Sequence, residues 1–157
     1  MEVAREDRAH PTFPALLAGL QAGMVAALWM LAWLGVSAAW HRESFWTAEN
    51  LFATTFFGAR AIRTGFSGTT LSGLALFLLV YSILGSLYAG VVRDRFPRLR
   101  LVLASIAVAV AWYYLFFQVI CRAVSPLVTL LHATQSTIWG HILYGAILAR
   151  FPRYLQH

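Results

Sequence analysis

Apolar positions gather into four long stretches, roughly 14–40, 70–92, 101–120 and 127–149, and none of them contains Asp, Glu, Lys or Arg. Each holds about 20 or more residues, enough for a helix rising 1.5 Å per residue to cross a hydrocarbon core of about 30 Å. Backbone groups in lipid must be satisfied within the segment, so these stretches predict helices. Short turns join the second stretch to the third and the third to the fourth, where Pro126 is suited to begin a helix. The first linker is long. Within 50–66, Leu51, Phe52, Phe56, Ala59, Ile62 and Phe66 share one broad helical face, with Arg60 and Arg63 at its edge. That pattern predicts a short helix lying in the interface, its arginines snorkelling to headgroups. The expected fold is therefore all-α: an integral membrane four-helix bundle forming one domain over 1–157, with an interfacial helix in the first linker.

Composition makes lipid the solvent. The 157 residues are 60% hydrophobic and 11% charged, with a mean hydropathy of +0.68. Soluble domains carry about 25% charged residues, too many for this chain to match. The net charge of +6 comes from twelve arginines and no lysine. These flank the apolar stretches, which reads as a topology signal rather than as a nucleic-acid surface. Four crossings place Arg5, Arg8, Arg93, Arg95, Arg98, Arg100, Arg150 and Arg153 on one side, against Arg42, Arg60, Arg63 and Arg122 on the other. The positive-inside rule then puts both termini in the cytoplasm. The first stretch is longer than a signal-peptide core and follows the mixed-charge leader "MEVAREDRAH", so a retained helix is expected. In outline the chain resembles small four-helix bacterial inner-membrane proteins, which implies a multi-pass protein of the cell inner membrane.

One ending is written twice. "LYAGVVRDRFPRL" from Leu87 matches "LYGAILARFPRYL" from Leu143 with one residue deleted before the arginine, and Trp29 parallels Trp112 upstream. A duplicated helical hairpin with halves 14–100 and 101–157 explains this, and a parallel repeat puts both endings on the same side. General exit chemistry explains it as well. Tyr88 and Tyr144 would sit near headgroups, Arg95, Arg98, Arg150 and Arg153 would meet phosphate, and proline would end each helix.

Helices in lipid associate where small residues let backbones approach. Such rows run through Ala15, Gly19, Gly23 and Ala27, through Ser82, Ser86 and Gly90, and through Thr129, Ala133, Thr137, His141, Gly145 and Ala149. His141 on this last row is predicted to face other helices, about 12 Å deep, level with Gln21 and Ser86. The three would form one polar layer, either as interhelical glue or as a functional ionisable site. On a continuous helix His132 lies about 180° from His141, which forbids joint metal ligation.

Other chemistry is sparse. With no carboxylate inside a predicted span, proton-coupled cation export of the kind that small four-helix multidrug exporters carry out through a membrane glutamate is disfavoured. Paired catalytic carboxylates, phosphate loops and zinc motifs are missing, and facing histidines for haem are not evident, so neither cofactor nor metal is expected. Cys121 reads as a small apolar residue. The aromatic run "WYYLFF", Trp112 to Phe117, fills a loosely packed interior or lines a pocket for a quinone, lipid tail or pigment. These features favour a non-enzymatic accessory or assembly partner in the bilayer, bound to another membrane protein or to itself. The alternatives are a homo-oligomeric transporter or channel for a small or apolar solute and, third, a lipid- or quinone-handling enzyme.

Overall fold

A computed structural model describes residues 12–63, 65–92 and 96–156, which form helices and no strands. Helix α1 spans Thr12–Trp40, α2 Thr47–Phe57, α3 Gly68–Val92 and α4 Arg98–Tyr114. A π-helical turn, Leu115–Ile120, continues α4 into the short α5, Cys121–Val124. Helices α6, Pro126–Leu131, and α7, Thr134–Leu148, complete the set before a final 3-10 turn.

Three helices are long and apolar enough to cross a membrane: Phe13–Trp40, Gly68–Val92 and the composite Arg98–Val124. Large apolar side chains such as Leu17, Trp29, Leu79, Leu87 and Leu103 stand exposed on them, the expected arrangement where lipid covers the outer surface.

The stretch 127–149 is not one helix. His132 and Ala133 have extended backbones, with ψ of 138° and 94°, and divide it into α6 and α7. Alone, α7 has 15 residues and rises only about 22 Å. The reason lies in "HATQST", His132 to Thr137, where hydroxyl and imidazole groups bond to nearby carbonyls. His132 Nδ1 lies 2.8 Å from Thr129 O, and Thr137 Oγ1 donates to Ala133 O at 2.8 Å. Such side chains compete with the helical ladder.

The expected interfacial helix also differs. Gly58 takes φ +59°, a left-handed value that stops α2, and a 3-10 turn follows over Gly58–Arg63. The anticipated common face is thereby split. Leu51, Phe52 and Ala53 are buried against the rest of the protein, while Phe56, Ile62 and Phe66 stay exposed. Helix α2 is thus packed into the structure along α3 rather than lying free at a surface.

Helices α1 and α3 pack backbone to backbone. A Cβ placed on Gly85 would come within 2.5 Å of Gly19 O and 2.7 Å of Gly23 Cα, so the backbones themselves touch. Helix α7 packs between α1 and α4. At its crossing with α4, a Cβ on Gly145 would meet Ile106 Cα at 2.6 Å and Ser105 O at 2.7 Å. Ser82 is buried beside Gly23, whereas a Cβ on Gly90 would meet the Leu16 side chain.

Candidate functional site

The break before α7 faces the π turn that follows α4. In a π turn a carbonyl loses its usual partner, and Thr129 Oγ1 of α6 supplies one, donating to Phe117 O at 3.0 Å. The same turn brings the consecutive Phe116 and Phe117 both inward. These rings join Phe52, Phe77, Tyr81 and Tyr113 in one aromatic cluster.

Two histidines stand on that cluster in matching arrangements. His141 is fully buried. Its Nδ1 lies 2.8 Å from Thr137 O, an atom that only accepts, so Nδ1 carries the proton and Nε2 accepts from Tyr81 Oη at 2.8 Å. His132 repeats the logic: its Nδ1 donates to Thr129 O at 2.8 Å, and its Nε2 accepts from Tyr113 Oη at 3.2 Å. Both imidazoles contact Tyr113 and Phe117, with His132 stacked on Phe117 at 4.4 Å between centroids. The 180° separation expected on a continuous helix does not hold, because the extended residues at 132 and 133 reorient α6 relative to α7. Among the described residues no group of three or more His, Cys, Asp or Glu is arranged to hold a metal.

Above the cluster opens a cavity of about 770 Å³. Trp33 and Ser37 near the end of α1, Phe117 of the π turn, and His132, Ser136 and Trp139 around the break contribute to its wall. Two hydrogen bonds tie its sides together. Trp33 Nε1 donates to Ser136 O at 2.9 Å, and Ser37 Oγ lies 2.6 Å from Ser136 Oγ. The wall is mainly apolar and aromatic, and its polar part includes hydroxyls, the His41 and His132 imidazoles, the Glu43 carboxylate and Gln135.

The residues expected to form a polar layer do not meet. His141 pairs with Tyr81, Ser86 Oγ donates to Leu16 O at 2.9 Å, and Gln21 is exposed on the outside of α1. Equal depth on three helices does not fix which way each side chain turns, and here they turn apart. Tyr88 and Tyr144, expected at headgroups, are instead interior. Tyr144 Oη donates to Tyr81 O at 2.6 Å, and Tyr88 Oη donates to Leu101 O at 3.3 Å with Ser105 Oγ 2.7 Å away. The two Arg-Phe-Pro-Arg endings differ as well: Phe151 is 0% exposed and packs on Tyr88, whereas Phe96 is 45% exposed.

Arg60, Arg98, Arg150 and Arg153 are exposed. Arg95 and the side chain of Arg63 lie outside the described residues. Sequence reasoning missed Tyr81, Gly85 and Glu49. A tyrosine in mid-span is the one signal that pointed to the first, since its hydroxyl needs a partner in lipid. No protein-family model, curated protein or solved structure matches the chain.

Proposed function

We propose that this is a membrane protein that binds a small, largely apolar solute with a polar end, in the cavity at the broken helix. The observation that carries this reading is the coincidence of three features at one place: the cavity, the interrupted helix and the π turn. Irregular backbone at membrane depth is tolerated where it is enclosed by protein or lines a cavity, and transporters build solute sites from such interrupted helices. A volume of about 770 Å³ falls within the roughly 300–1,000 Å³ common for ligand sites. Aromatic walls with a polar part of hydroxyls, two imidazoles and the Glu43 carboxylate suit an amphiphilic molecule. Composition alone favours an accessory role; the cavity supports the alternative, passage or retention of a small or apolar solute.

In this reading α6, the extended link and α7 together make a fourth crossing, completing a four-helix bundle. Both termini lie in the cytoplasm of a cell with an inner membrane, and the cavity opens toward the opposite face, beside the end of α1. In a Cys121→Ser background, Ser44→Cys is expected to react with a membrane-impermeant thiol reagent in intact cells. Gln156→Cys is expected to react only after the cells are opened. The reverse pattern overturns this orientation.

Native mass spectrometry of the full chain, released from membranes in mild detergent, tests solute binding. A co-purifying apolar adduct is expected on the wild-type protein. It is expected to be lost from Ala133→Trp, whose new indole occupies the cavity from an exposed position on its wall. Wild type without an adduct, or an adduct retained at full occupancy in the variant, counts against the cavity as the site.

A further inference from the structure

Of the carboxylates in the described residues, one has been taken out of water. Glu49, in the first turn of α2, is 3% exposed, and its Oε2 is buried without a hydrogen-bond partner. The cause is the way α2 meets α3. Gly73 has no side chain, and its backbone lies directly on that of α2, where a Cβ would run into the Glu49 carbonyl and into Ala53 N. Two helix backbones in contact at this residue leave no space for a hydration shell around its side chain.

Among the described side chains, no cation on the packed elements compensates. Helix α1 has no ionisable side chain between Thr12 and Trp40, and α6 has none between Pro126 and Leu131, although His132, committed to Tyr113 and Thr129, follows it. Helix α3 offers only Tyr81 and Tyr88, each donating elsewhere. The 3-10 turn after α2 carries Arg60, which is exposed, and Arg63. The carboxyl's own backbone N–H favours the charged form, but Oε2 is left buried with no partner, and an ion in that position is disfavoured relative to the neutral acid.

We propose that Glu49 is a proton-binding site of the membrane domain, held as the neutral acid by the backbone contact of α2 with Gly73. Burial acts in the same direction, pushing the Glu49 carboxyl above the ordinary value of 4.5. The site supplies a protein-buried acid, which the four apolar stretches lack, and it stands independently of the solute cavity, which Glu49 does not line.

Membranes holding the full chain are treated at neutral pH with dicyclohexylcarbodiimide, a lipid-soluble reagent that adds to protonated carboxyl groups, and in parallel with a water-soluble carbodiimide. Modified peptides are then mapped by mass spectrometry. The lipid-soluble reagent is expected to modify Glu49 at least several-fold more than the exposed Glu43. The water-soluble reagent is expected to reverse that order. Labelling of Glu49 is also expected to decline as the medium is made alkaline. An unmodified Glu49, or one that the water-soluble reagent attacks as readily as Glu43, overturns the proposal. The measurement uses wild-type protein, so it does not depend on a variant folding, and Glu49→Gln serves to assign the adduct.

Discussion

Gly85→Val drives α1 and α3 apart and removes most of the folded protein from the membrane. The added carbons have nowhere to go, because the position of a Cβ on Gly85 already lies 2.5 Å from Gly19 O and 2.7 Å from Gly23 Cα. Both obstacles are backbone and cannot rotate away. Overpacking costs typically about 1–3 kcal/mol, and a β-branched residue against two backbones is expected at or above the upper end, about 3 kcal/mol. Helix association in lipid depends on close packing, since lipid tails solvate apolar side chains as well as another helix does. Gly90→Ala is the control. There a Cβ meets Leu16 Cδ2 at 2.9 Å, the far end of a flexible side chain, and a loss of under about 1 kcal/mol is expected. Unfolding by increasing SDS in mixed micelles measures both. Equal stability of the two variants refutes the backbone contact.

Tyr81→Phe is expected to lower stability by about 1–2 kcal/mol, although it deletes a single oxygen. The ring keeps its stacking on Phe77 at 4.4 Å, and the backbone carbonyl still accepts from Tyr144. What is lost is the donor to His141 Nε2, which then faces a dry aromatic interior with an empty lone pair. An unpaired buried acceptor is costly, whereas removing both partners is cheaper. The double variant Tyr81→Phe, His141→Leu is therefore expected to lose less than the two single losses summed, with a coupling of about 1 kcal/mol. Strict additivity would show that the 2.8 Å contact contributes nothing. The same cycle bears on the role of His141. A coupling that appears in stability while solute binding is unchanged assigns the pair to holding α3 against α7.

These effects were legible in the sequence to unequal degrees. The three uninterrupted helices follow from composition: long runs without charge leave the backbone no partner in lipid but itself, so helix existence is dictated locally. The close-contact role of Gly19, Gly23 and Gly145 was also readable, because small residues four apart are what close approach requires. Their counterpart Gly85 was not, since which α3 residue meets α1 depends on the rotation of both helices. The break at His132–Ala133 escaped a reading by hydropathy, which averages over the polar run His132–Thr137. Gln21, Ser86 and His141 looked like neighbours because depth is a one-dimensional quantity; whether they meet depends on azimuth.

By itself, the sequence determined the solvent, the helices that can span it and the small-residue faces that let them touch, since each of these depends on residues within a few turns of one another. The tertiary structure alone decided that Phe116 and Phe117 both turn inward, that each histidine finds a tyrosine, and that Glu49 is buried against Gly73. Those outcomes arise from contacts between residues 12 to 60 positions apart, where the gain from packing outweighs what the local chain prefers.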